Sequence, residues 1–207
     1  AIMMPIVGIL VVLAPLMTRL MFGFGAATTD SAVVTGHVVQ VFTLGLLPFT
    51  LVYLLFRGWY SVEDTQSPFW VTVLVNVVNL GLCIPLFLAA PVALKVPALA
   101  LSYAVSYWVA LVVAWPRLQR RLGDLETTLT VKTIVRAVAA TAASVLVGAL
   151  ALALLSAFAE TAGRAGLLVV VIAVTLLMGG VYVVLGRRMQ IEGLDAAVAR
   201  ITARLGR

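Results

Sequence analysis

The sequence predicts an all-α membrane protein, a polytopic bundle of six transmembrane helices, and three observations carry that expectation. Of its 207 residues 63% are hydrophobic and 11% charged, too little polar surface to clothe a water-soluble core. The apolar residues gather in six uncharged runs that approach or exceed the ~20 residues a helix needs to cross the hydrocarbon. Lipid offers no partner for unpaired backbone groups, so each crossing must be an element that satisfies its own hydrogen bonds.

Taken in order, the runs cover residues 1–18, 38–56, 69–94, 96–116, 137–159 and 165–186. Lys95 alone parts the third from the fourth. Together they are too long for one crossing, and Pro91 and Pro97 bracket Lys95 as turn punctuation, so two helices are expected. With flanking residues the predicted helices are about 1–21, 38–56, 68–90, 97–116, 134–158 and 165–186, a transmembrane unit of residues 1–188. The connection over residues 117–136 mixes Arg120, Arg121, Asp124, Glu126 and Lys132 and predicts a short surface helix before the fifth span. Leu194, Val198, Ile201 and Leu205 then recur on one helical face beside Arg200 and Arg204. Residues 189–207 are therefore expected as a cytoplasmic amphipathic tail helix. It serves either to lie on the inner leaflet or to lead to a further soluble domain.

The formal charge of +6 suggests nucleic acid in a soluble domain, but here the basic residues flank apolar runs, where anionic headgroups are their natural partner. Membrane lipids are thus expected as partners and nucleic acid is not. Their distribution also sets orientation, because Lys and Arg beside the spans are retained in the cytoplasm. If the first helix runs outward, 11 of the 14 lie inside and only Arg19, Lys95 and Arg164 outside. That predicts a plasma-membrane protein with a cytoplasmic carboxyl end. The chain opens inside an apolar stretch without a basic leader, so further residues upstream are expected. The lone Cys83 can form no intrachain disulfide.

Signals of catalysis are missing from the sequence. It holds no HExxH, GxSxG or Gly-rich phosphate loop, its eight acidic residues lie outside the runs, and neither a cofactor nor a metal is expected. The most structured polar segment is residues 56–68, the turn between spans two and three. Ser67 and Pro68 suit the N-cap and the first helical position of the third helix, and Asp64 and Thr65 can bond free amides nearby. Arg57 is placed to pair with Asp64. As a gate the segment holds two helices together on one side of a transporter; as plain architecture it is a turn with an aromatic belt at Trp59 and Tyr60. Asn76 and Asn79 in span three, and Ser102 and Ser106 in span four, either line a hydrated cavity or bond helix to helix. Gly148, Ala149, Gly179 and Gly180 read as close-packing positions in spans five and six.

The spacing of Tyr60, Asp64, Thr65 and Pro68 resembles the Tyr-x-x-x-Asp-Thr-x-x-Pro stretch of the MurJ/MviN lipid II flippases, members of the MOP superfamily. Leu13-Ala14-Pro15-Leu16, the Phe22-Gly23-x-Gly25 turn, Leu44-Gly45-Leu46 and Pro97-Ala98-Leu99-Ala100 are similar to other parts of the carboxyl-terminal half of that family. The likeness is dense from about Leu13 to Trp108 and rests mainly on hydropathy beyond. The Ala- and Val-rich, Lys-poor composition is similar to actinobacterial homologues, in whose mycobacterial relatives a cytoplasmic pseudokinase-like region follows the membrane part.

The resemblance implies that these six helices form the carboxyl-terminal lobe of such a transporter. Its cargo is lipid II, the undecaprenyl-pyrophosphate-linked peptidoglycan precursor, moved by alternating access of two lobes. It implies an amino-terminal lobe as partner, and a regulatory domain or protein at the cytoplasmic tail. Arg57, Tyr60, Asp64, Thr65 and Pro68 become the gate motif, and Asn76, Asn79, Ser102 and Ser106 cavity-lining candidates. Some members couple transport to sodium through an Asn followed one turn later by an acidic residue; Asn79 matches the first, but Cys83 replaces the second. The alternatives are another lipid-linked polysaccharide exporter and a non-transporting scaffold for cell-wall regulators.

Overall fold

The computed structural model describes residues 3–23, 29–123, 127–161 and 163–191. Six α-helices follow in order, α1 (Met3–Phe22), α2 (Thr29–Tyr60), α3 (Gln66–Ala89), α4 (Lys95–Leu122), α5 (Thr127–Thr161) and α6 (Gly163–Arg188). All six contain a stretch long and apolar enough to cross a membrane, and the chain is a multi-pass, all-α membrane protein. Leu80, Leu88, Val112, Leu146, Leu154 and Leu176 are among many large apolar side chains left exposed, as a surface solvated by lipid requires.

Several helices outrun their apolar runs. Helix α2 starts at Thr29 and α5 at Thr127, because a helix already satisfied along its backbone continues through polar residues until something stops it. The surface helix expected within residues 117–136 is therefore not a separate element. Its described residues are the last turns of α4 and the first of α5, and residues 124–126 lie outside the described part. Between α3 and α4 Pro91 leads into a 3₁₀ turn, Val92–Leu94, and Lys95 rests its ammonium 4.7 Å from the centre of the Phe87 ring. The residues of the expected tail helix from 192 onward lie outside the described part.

The chain divides into two compact units, residues 1–33 with 126–207, and residues 34–125. In the first, α1, α5 and α6 bury Leu13, Val170, Val174 and Met178 together. The Ser144 hydroxyl on α5 donates to the Met178 carbonyl on α6 at 2.8 Å. A methyl on Gly148 would collide with the Met178 sulfur, so this glycine is a close-packing position. Gly179 and Gly180 have nothing within 4 Å of that direction and Ala149 is exposed. Among the described residues those three positions therefore make no close helix contact. The Thr18 hydroxyl, 2.8 Å from the Ala32 carbonyl, joins the end of α1 to the start of α2.

In the second unit α2, α3 and α4 enclose Val52, Leu55, Trp59, Val71, Val75, Ala110, Ala114 and Leu118. Trp59 is fully buried, so the aromatic belt expected at Trp59 and Tyr60 is half right: Tyr60 is exposed, while Trp59 is a core residue. The Ala positions of α4 let the helices approach closely. A methyl on Gly45 would lie 2.9 Å from the Ala104 Cα, the intimate small-residue contact that holds membrane helices together. Pro48 has no N–H to give the carbonyl one turn earlier, that of Leu44. The indole Nε1 of Trp108 on α4 donates to it at 3.1 Å.

Candidate functional site

The turn between α2 and α3 is built by its own backbone. Glu63 takes a positive φ of 59°, the Asp64 N–H donates to the Trp59 carbonyl at 3.0 Å and the Glu63 N–H to the Tyr60 carbonyl at 3.2 Å. This is a Schellman closure of α2, with Glu63 where glycine is usual. Asp64 is thereby aimed at the start of α3. One carboxylate oxygen accepts from the Ser67 N–H at 2.9 Å and the other from the Ser67 hydroxyl at 2.7 Å.

This corrects the expected cap. Helix α3 starts at Gln66 with Thr65 as N-cap making no side-chain cap bond, so Ser67 and Pro68 lie inside the first turn, and Asp64 takes the acceptor role assigned to Ser67. Pro68 is tolerated because first-turn amides have no helical acceptor. The Ser67 bonds, outweighing what burial opposes, and the nearby Arg121 guanidinium hold the Asp64 carboxyl below its usual value of 3.8. The expected pair with Arg57 is not formed. Asp64 faces Arg121 instead, 3.8 Å away at the end of α4, with the Asp64 side chain 10% exposed. Arg57 sits in the last turn of α2, and α4 reaches the carboxylate because it continues past its apolar run.

Further along the helices lies a cavity of about 260 Å³. Asn76, Asn79 and Thr72 line it from α3, Tyr103 and Tyr107 from α4, and Tyr53 and Phe56 from α2. The Tyr103 and Tyr107 rings meet tilted by 57° with centroids 5.0 Å apart, and Phe49 meets Tyr107 edge-on at 5.1 Å. The Ser102 hydroxyl lies 2.8 Å from both the Asn79 side-chain oxygen and the Leu99 carbonyl. The Asn76 amide donates to the Thr72 carbonyl at 2.8 Å.

Asn76 and Asn79 line this cavity, and Asn79 also accepts from Ser102 across α3 and α4; Ser102 itself is not among the lining residues. Ser106 stands apart. It is fully buried, and its hydroxyl donates to the Tyr103 carbonyl at 2.7 Å, inside its own helix. The aromatic wall of Tyr53, Tyr103 and Tyr107 was not singled out as a wall from sequence, although the i, i+4 spacing of Tyr103 and Tyr107 was its available signal. Chemically the cavity offers neutral hydroxyls and carboxamides, suited to hydrogen bonding a polar, uncharged group or water at membrane depth. Among the described residues no group of three or more His, Cys, Asp and Glu could hold a metal ion.

Comparison with known proteins gives a consistent answer. The family model described as lipid II flippase MurJ matches residues 1–185. A probable lipid II flippase MurJ of Rhizobium tropici is 36% identical over 103 residues, 50% of this chain and 19% of that protein. One from Rhizobium meliloti strain 1021 is 30% identical over 106 residues, 51% of this chain and 19% of the relative. A third, from Buchnera aphidicola subsp. Baizongia pistaciae, is 31% identical over 75 residues, 36% of this chain and 15% of the relative. The chain therefore spans well under two thirds of the relatives' length. No solved structure matches it.

Proposed function

Because this chain belongs to the lipid II flippase MurJ family, we propose that it serves as a six-helix lobe of a transporter that moves lipid II across the plasma membrane. The observation that carries this reading is the neutral polar cavity at Asn76, Asn79, Tyr103 and Tyr107. Polar groups at membrane depth are costly, and they mark paths that polar cargo takes.

In this reading the lobe works opposite a second, amino-terminal lobe, which the matched relatives are long enough to contain. The two rock about the cavity and no covalent step is needed. The turn at Asp64 lies on the cytoplasmic side with the carboxyl end, as the charge distribution of 11 against 3 favours. There Asp64 fixes the α2–α3 hairpin and ties it to Arg121, so that Tyr60, Asp64, Thr65 and Pro68 form a stiff corner on which a gate can close. Arg57 stays unpaired with Asp64 and is available to a partner across the gate. A regulator docking on the basic tail is compatible with this arrangement.

The test is movement of fluorescent lipid II between the leaflets of vesicles holding the two-lobe protein. Transport above protein-free vesicles that falls on replacing Asn76 and Asn79 by Leu supports the proposal. Transport indifferent to both substitutions removes the cavity from the path.

A further inference from the structure

A second concavity lies at the turn end of α3 and α4. It has a volume of about 570 Å³ and is walled by Trp70, Val73, Leu74, Val77 and Val113, with Ser67 and Arg117 at its polar end. From Ser67 to Val77 the helix rises about 15 Å, half the ~30 Å hydrocarbon thickness. The cleft is thus one leaflet deep, apolar along its length and cationic at its mouth. Arg117 is exposed, and Asp64, the one acid ion-paired at this end among the described residues, is committed to Arg121.

We propose that this cleft binds an anionic phospholipid of the adjoining leaflet, its headgroup phosphate on Arg117, and one acyl chain along Val73, Leu74 and Val77. Charge complementarity selects an anionic head, and the depth selects an amphiphile confined to one leaflet. Trp70, 62% exposed, stands at the boundary depth where an indole favours the headgroup region. The site is distinct from the cavity at Asn76 and Asn79, and it does not depend on the transport reading.

Native mass spectrometry of the purified protein, released from micelles containing equal phosphatidylglycerol and phosphatidylcholine, tests it. Wild type should retain phosphatidylglycerol preferentially, and Arg117→Gln should lower that preference about fivefold, the effect of one interfacial cation on an anionic lipid. Arg120→Gln, which removes a neighbouring charge that does not line the cleft, should leave it unchanged. Val77→Trp, which fills the apolar channel without touching charge, should reduce retention of both lipids. Equal retention of the two lipids by wild type, or an equal fall with Arg120→Gln, overturns the site. Displacement of the bound lipid by undecaprenyl phosphate assigns the cleft to polyprenyl chains and overturns the phospholipid proposal.

Discussion

The indole nitrogen of Trp108 lies 3.1 Å from the carbonyl oxygen of Leu44, the acceptor that Pro48, one turn later in α2, cannot serve. In lipid an unserved carbonyl has no water to turn to, so the two features depend on each other. Trp108→Phe should cost about 0.6–2 kcal/mol, the range for interhelical hydrogen bonds in membranes. In a Pro48→Ala background, where Leu44 regains an amide partner, that cost should shrink. A double-mutant cycle by thermal unfolding in detergent measures it, and an unchanged cost would break the link.

Asp64 organises the turn through Ser67 and, more weakly, Arg121. Stability should fall in the order wild type, Asp64→Asn, Asp64→Ala, since Asn keeps an oxygen for the Ser67 amide but cannot accept from its hydroxyl at the second position. The carboxyl is held below 3.8 in the folded protein. Its contribution is therefore full above that value and lost as pH falls through the lower folded one. Wild type and Asp64→Ala should converge in melting temperature in that acid window and diverge above it.

The three glycine environments predict three outcomes. Gly45→Ala drives a methyl against the Ala104 backbone and should cost about 1–3 kcal/mol, as overpacking does. Gly148→Ala meets the flexible Met178 side chain and should cost less. Gly179→Ala and Gly180→Ala meet nothing among the described residues and should be tolerated or mildly stabilising. Melting temperatures of the four variants in one detergent decide the ranking.

Trp59 is fully buried, and its indole N–H has no partner among the described residues. Trp59→Ala should destabilise by about 3–5 kcal/mol through the cavity it leaves. Trp59→Phe should cost far less, since it also removes a buried donor that carries a desolvation penalty of about 1–3 kcal/mol. Equal losses in the two variants would show that the N–H is satisfied.

The spans were legible because uncharged runs of membrane length have one structural outcome. Their ends were not: the first turns of α2 and α5 are polar, and nothing in their composition separates a continuing helix from a loop. Asp64 was legible as a cap and misread as a partner of Arg57, because its ionic contact comes from Arg121, remote in sequence and brought near only by the length of α4. Trp59, beside a polar turn, carries the same local signal as an interfacial Trp, and only three-helix packing decides that it is core. Asn76 and Asn79 were found by their depth in an apolar run; the tyrosines opposite needed the fold.

Vesicles carrying the two-lobe protein, loaded with fluorescent lipid II and assayed for quenching from outside, test the central claim most directly. Lipid II should cross faster than in protein-free vesicles, with Asn76→Leu and Asn79→Leu together cutting the rate toward that background while the protein still folds. A rate no higher than in protein-free vesicles would contradict the flippase reading.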